Sequence, residues 1–315
     1  MDIFCCGMYR SCSTWQYEIA IEVLEFARDK GGTVEVQPLG YMTGPEYNEA
    51  PRASRSRTLV RIFKGHEGHH SYTNAMFRSR AIGLYAHRDV RDVIFSLMYK
   101  RKQSFQEIVR TGMIHQILVN DRFWRAHPHV FVQRYDDIQE KPEQAVLEIA
   151  EFLHVNLPGG FAAQLAETYS REANLKRTED LKSKLTEQGL DLETPLNAQV
   201  YDQSTLLHWN HIRADSSNWR TLATPKERVV LQRMVGHWLA DNGYQADHLE
   251  DVEPSSSATK NWRLDAAQGL MRCHSREFSS AYYRISQPLK QFLGMGAGER
   301  RSKPLEKVAK KNNSA

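Results

Sequence analysis

Cysteine is scarce in this 315-residue chain, with Cys5, Cys6, Cys12 and Cys273 the only four. Cys5 and Cys6 are adjacent in an apolar run, so a strand there points them to opposite faces. The spacing is neither that of a disulfide framework nor that of a zinc site. A reducing, cytoplasmic compartment is therefore expected, and no metal. No apolar run approaches the roughly 20 residues of a membrane-spanning helix. The first strand begins at residue 2 or 3, leaving no room for the basic and apolar regions of a signal peptide. Excess charge is also lacking over most of the chain. The net charge is +4, and Arg300, Arg301, Lys303, Lys307, Lys310 and Lys311 against Glu299 and Glu306 account for all of it. The remainder is formally neutral, which argues against a nucleic-acid-binding face on the globular part. Hydrophobic content of 41% and charged content of 25% are ordinary for a globular chain. The length suits one large α/β domain with additions, or two small domains.

The chain is organised around residues 2–15. Ile3 to Cys6 reads as a buried strand, Gly7 as a turn, and Ala20, Val23, Leu24 and Ala27 as the apolar stripe of a helix ended by Gly31-Gly32. Arg10, Ser11, Ser13 and Thr14 fill the turn. Strand, polar turn and helix together present backbone N–H groups and the positive helix end to an anion. The pattern approaches the nucleotide-triphosphate loop G-x-x-x-x-G-K-[ST] but lacks two of its residues. Cys12 stands at the second glycine and Ser13 at the lysine that reaches the β- and γ-phosphates. Such a loop suits a ligand other than ATP–Mg, and an ordinary buried strand and helix gives the same local pattern.

Further strands are expected at 33–36, 58–64, 81–86 and 129–132, with a loop over 40–57. Helices are expected after Arg88-Asp89, on Val93, Ile94, Leu97 and Met98, and after Pro142, on Val146, Ile149, Ala150 and Leu153. Residues 158–200 read as polar helix, a covering segment or lid. Thr224-Pro225-Lys226-Glu227 is a capping box that opens a helix ending at Asn242-Gly243. Alternating strands and helices imply a mainly parallel sheet, with ligands outside the carboxyl ends of the strands. Arg10, Lys64, His66, Arg88 and Tyr135 all follow strand ends, so parallel strands bring them to one edge.

Five motifs in order resemble the sulfotransferase family over roughly residues 1–245. Tyr9 to Trp15 is similar to its 5′-phosphosulfate loop, and Arg88 to Val93 with Ser96 to its 3′-phosphate motif. Arg134-Tyr135-Asp136-Asp137 resembles its Arg/Tyr-Tyr-Glu-Asp, and Phe63-Lys64-Gly65-His66 its Lys-Thr-His. Asn210 to Arg213 with Asn218-Trp219-Arg220 resembles a late loop that closes over the nucleotide. There are departures. Cys12 replaces the loop glycine, Gly65 replaces a threonine, and Ile212 and Ala214 flank Arg213 where the family often has Arg-Lys-Gly.

The resemblance implies a P-loop-like three-layer α/β domain, with a mainly parallel central sheet flanked by helices. It also implies transfer of a sulfonate group from PAPS (3′-phosphoadenosine 5′-phosphosulfate) to a hydroxyl or amine, in line and without metal, leaving PAP. Arg10, Ser11, Cys12, Ser13 and Thr14 would hold the phosphosulfate, Arg88 and Ser96 the 3′-phosphate, and Trp15 and Tyr135 the adenine, with Arg213 of the late loop also on the nucleotide. Arg10 and Lys64 would neutralise the leaving phosphate, and His66 would be the base, with Glu67, His69 and His70 its rivals. Tyr9 and Tyr85 read as core. The acceptor would be a small molecule, sugar or lipid. A small-molecule or nucleotide kinase and a catalytically inactive nucleotide-binding protein are the competing readings. Beyond a domain at 1–250, a linker is expected at 251–260, a helical extension at 261–293 and a basic, disordered tail at 294–315. That tail could touch an anionic membrane or an acidic partner.

Overall fold

In the computed structural model the chain's first residues form the centre of the molecule. β1 (Asp2–Gly7) is buried at every position, as a strand covered on both faces must be. It pairs in parallel with β3 (Leu59–Lys64) on one side and β4 (Ala81–His87) on the other. β2 (Glu35–Tyr41) lies outside β3 and β5 (Val130–Arg134) outside β4, giving the order β2-β3-β1-β4-β5 with all neighbours parallel. The structure describes residues 1–50, 58–194, 197, 200–210, 212, 218–246 and 265–271.

The two faces of β1 feed two cores. Ile3 and Cys5 pack with Ile19 and Val23 of α1 (Ser13–Asp29) and Val146 and Ile149 of α8 (Pro142–Phe152). Phe4, Cys6 and Met8 pack with Tyr72 of α3 (His70–Phe77) and Leu97 of α4 (Val90–Arg101). The same core takes in Trp124 of α6 (Met113–Arg125) and Leu231 of α12 (Pro225–Asp241). The three-layer domain follows directly, and Cys5 and Cys6 are free and on opposite faces. Asp2 and Arg61 are register partners and form a buried two-pronged ion pair at 2.8 and 2.7 Å. Tyr47 Oη also donates to Asp2, at 2.6 Å, which fixes the register at the sheet's amino edge.

Several elements differ from their sequence expectation. β2 starts later and runs through a bulge at Pro38–Gly40. Gly40 takes φ 71° there and donates its N–H to Tyr17 Oη at 3.0 Å. The expected loop contains α2 (Gly44–Glu49), opened by a capping box of Thr43 and Glu46 with proline in the first turn. Gly44 and Pro45 read as breakers, but within the first helical turn proline loses no intrahelical bond and its fixed φ suits the helix. α5 (Phe105–Arg110) has the same box at Ser104 and Glu107, and α7 (Tyr135–Glu140) follows β5 without a loop. The polar segment is α9 (Gly159–Thr168) and α10 (Arg171–Glu187). It is tied down on α1 by Arg177 to Glu18 and by Tyr169 to Glu22 at 2.7 Å.

Of the expected C-terminal extension, residues 265–271 are helical. Asp265 accepts from Gln106 Nε2 at 2.9 Å and Arg110 Nε at 3.2 Å. Gly269 sits so close to the α5–α6 corner that a Cβ there would lie 2.4 Å from the Val109 carbonyl oxygen. The linker at 251–260, the rest of 261–293 and the tail at 294–315 lie outside the described residues.

Candidate functional site

All five strands are parallel, so their carboxyl ends share one edge, and the loop after β1 lies in its middle. A Cβ on Gly7 would come within 2.8 Å of both the Ala86 carbonyl oxygen and Ser11 Oγ, so the loop closes only over glycine. The Ser11 hydroxyl is fully buried and lies 2.6 and 2.7 Å from the Met8 and Ala86 carbonyls. It ties the loop to β4, a different role from the ligand-binding one expected. Arg10 and Cys12 take φ 66° and 73°, the left-handed region that glycine adopts freely. Cys12 is the N-cap of α1 and gives no side-chain cap. The first turn at Ser13, Thr14 and Trp15 thus keeps its N–H groups for an anion.

A cavity of about 420 Å³ opens beside this turn. It brings together Arg10, Cys12, Thr14, Trp15, Arg88, Ser96 and Tyr135, all expected from the sequence. Ser13 opens α1 but does not line it, and Arg213 lies outside the described residues. Arg88 follows β4 and lays its guanidinium 4.2 Å from the centre of the Tyr135 ring. One nitrogen of Arg88 pairs with Asp92 at 3.3 Å. Its Nε is buried without a partner among the described residues, as is Thr14 Oγ1. Arg10 Nε donates to Ser96 Oγ at 2.9 Å, which ties the loop to α4. The buried ion pair belongs instead to Arg91, which grips Asp89 at 2.7 Å and lies 4.0 Å from the Trp219 ring. Asp92 Oδ1 accepts the Trp219 N–H at 2.9 Å, holding α11 (Trp219–Leu222) beside the cavity.

Lys64 and His66 do not line this cavity; they lie on the other side of the loop. His66 Nδ1 is 2.9 Å from the Gly7 carbonyl oxygen. A carbonyl only accepts, so Nδ1 carries the hydrogen and Nε2 the lone pair. Burial, and then Lys64, hold the imidazole well below its ordinary pKa. Burial lowers Lys64 to about 8 and Lys100, on α4, to about 7. Tyr9 packs against the core, and its ring is tilted at 38° to that of His66 with centroids 4.6 Å apart. Tyr9 and Tyr41 both donate to Glu67, at 2.5 and 3.1 Å. His69 Nδ1 accepts the Ser71 N–H at 3.2 Å and caps α3. The histidine cluster is thus divided among separate tasks.

Sequence reasoning missed Tyr169, Arg171 and Asn174, which reach the cavity from the α9–α10 junction, and Lys100 and His208. Burial lowers His208 to about 3, with Lys100, Lys64 and Arg10 adding to the effect. Lys100 had a readable signal, since it lies four residues after Ser96 and so on the same helical face.

Residues 1–198, well over half of the chain, match a family model described as a sulfotransferase domain. No curated protein matches the chain in sequence. The fold is similar to that of retinol dehydratase crystallised with retinol and PAP. That likeness has 17% identity, covers 76% of this chain and 81% of that one, and has a TM-score of 0.52. A mouse sulfotransferase complexed with PAP is similar at 13% identity, with coverage of 77% and 84% and a TM-score of 0.55. At such identities the likeness is one of fold.

Proposed function

The chain belongs to the sulfotransferase-domain family, and on that premise we propose that it moves a sulfonate group from PAPS to the hydroxyl or amine of a small-molecule acceptor. The observation that carries this reading is the cavity with two buried polar atoms, Thr14 Oγ1 and Arg88 Nε, that have no partner among the described residues and sit on two different turns. A donor with a phosphosulfate at one end and a separate 3′-phosphate needs two such anion sites. Thr14, Arg10 and the first turn of α1 fit the phosphosulfate. Arg88 and Ser96 fit the 3′-phosphate, with Arg213 a further candidate, and Trp15 and Tyr135 offer ring faces to adenine.

PAPS supplies the sulfonate and a phosphoadenosine leaving group. Arg10 and Lys64 offset the negative charge that grows on the leaving phosphate, as preorganised cations do in phosphoryl transfer. His66, neutral at pH 7 and hydrogen-bonded through Nδ1 to Gly7, presents Nε2 to take the acceptor's proton. Gly7 opens the phosphosulfate loop, so one short contact positions the base against the loop that holds the donor. The chain's own cations carry the charge stabilisation, so no metal is expected to be needed. Calorimetry with PAP, with and without EDTA, tests the reading. The expected outcome is micromolar or tighter binding in both; strict Mg²⁺ dependence would favour a kinase on the same framework.

A further inference from the structure

Around His66 the basic groups outnumber the acidic ones. Lys64 ends β3 and is only 6% exposed. Arg10 bonds to Ser96 on α4, and Lys100 lies one turn further along the same face of that helix, partly buried. Arg101 comes next, its guanidinium 5.7 Å from the centre of the Tyr9 ring, which lies tilted against His66 with centroids 4.6 Å apart. Among the described residues neither Lys64 nor Lys100 forms an ion pair with a carboxylate. Glu67 lies beside Lys64, but its two oxygens are engaged by the hydroxyls of Tyr9 and Tyr41. Burying ammonium groups without a direct ion pair is costly, and burial lowers the pKa of both lysines even though Glu67 partly offsets it at Lys64.

The donor explains part of this charge. Its sulfonate and bridging phosphate carry two negative charges, which Arg10 and Lys64 match. Lys100 and Arg101 remain, and Arg101 lies over the ring of Tyr9, whose neighbour is His66. The surplus therefore lies where the acceptor's nucleophile must meet His66. We propose that the acceptor carries its own anionic group, a carboxylate or phosphate ester near the nucleophilic hydroxyl or amine, and that Lys100 binds it. This rests on the sulfonate-transfer reading. Lys100 then sets acceptor specificity; a neutral phenol or alcohol of the same shape leaves the ammonium unpaired and is disfavoured.

The experiment first measures PAP binding by calorimetry. It then titrates matched pairs into the PAP-loaded protein: 4-hydroxybenzoate against its methyl ester, and glucose 6-phosphate against glucose. One charge-assisted contact predicts that the anionic member of at least one pair binds roughly tenfold or more tightly than its partner. Lys100→Met should bring that ratio close to one, and Lys100→Arg should keep it. Lys100→Gln, polar and close in length, serves as a second neutral variant should the methionine protein not fold. Equal or tighter binding of the neutral members overturns the proposal. So does a ratio that survives in the neutral variants, or the absence of binding by either anionic probe while PAP binds. Failure of the wild-type protein to bind PAP defeats the sulfonate-transfer reading itself, and the proposal with it.

Discussion

The cations on the two sides of the β1–α1 loop are held in different ways. On the cavity side Arg88 is stacked on Tyr135 and tethered to Asp92 through one nitrogen. Its charge is permanent, and its planar fork stays oriented while Nε remains to be satisfied. On the other side Lys64 and Lys100 are compact ammonium groups desolvated by the fold, with pKa values drawn to about 8 and 7. A stacked arginine is suited to recognise a fixed phosphate. A desolvated lysine is a charge waiting for an anion, and one that pH can remove. Under the proposed function, the first arrangement suits donor recognition, and the second suits both the donor's leaving phosphate and the acceptor.

The sharpest way to break that division is at His66. His66→Ala should lower kcat by roughly 10²-fold or more while PAP affinity stays within about twofold, because the role proposed for it is proton transfer and not donor binding. Steady-state kinetics with any accepted substrate and PAP calorimetry check both halves. Loss of turnover on replacing Glu67, His69 or His70, with His66→Ala near normal, would move the base elsewhere. On the cavity side Arg88→Ala should weaken PAP by roughly 10²-fold, the loss of a charge-assisted fork on phosphate. Adenosine 5′-phosphosulfate, which lacks the 3′-phosphate, should lose far less, and equal losses would remove Arg88 from that subsite.

pH tests the lysines. Both pKa values are lowered relative to the unfolded chain, so the folded state binds fewer protons. Raising pH from 6.5 to 9 should strip charge from Lys100 and then Lys64, and PAP affinity should fall by about tenfold. Stability should respond in the opposite direction. The cost of burying charged Lys64 is fully present below about 8 and is relieved as pH climbs toward the ordinary lysine value. Denaturant titrations across that window read this sign, and a flat profile in both measurements would show that the two sides hold their cations alike.

The smallest expected effect lies in the loop between the two sides. Cys12 occupies a left-handed conformation at φ 73° without being glycine, which costs roughly 1–2 kcal/mol. Cys12→Gly should remove that strain at some cost in chain entropy, for a net gain of about 1 kcal/mol and a rise in Tm of roughly 2–4 °C. A fall in Tm on differential scanning calorimetry would show that the Cys12 contacts outweigh the strain.

Much of this was legible in sequence. A strand buried on both faces reads as a continuous apolar run, which is why β1, β3 and β4 were located within a residue or so. Strand-end residues on a parallel sheet converge by geometry, so the sequence groups Arg10, Lys64, His66, Arg88 and Tyr135; of these Arg10, Arg88 and Tyr135 line the cavity, while Lys64 and His66 do not, and Ser96 joins them from the family motif. The breakers misled at α2, where Gly44 and Pro45 begin a helix because Thr43 and Glu46 cap it. Tyr9 read as core and packs against it, and only the structure shows that it also meets Glu67 and His66.

What the sequence determined by itself is local: which segments are strands or helices, and which polar residues sit where a strand ends. Those follow from periodicity, capping and turn chemistry within a few residues. The tertiary structure decided how the residues are employed. It bound Ser11 to the carbonyls of Met8 and Ala86, gave the buried ion pair to Arg91, brought Arg171 to the cavity and partly buried Lys100 within the field of Arg10 and Lys64. Each of these depends on partners far apart in the chain, and on burial, which changes hydrogen-bond demand and proton affinity only once the layers close over the sheet.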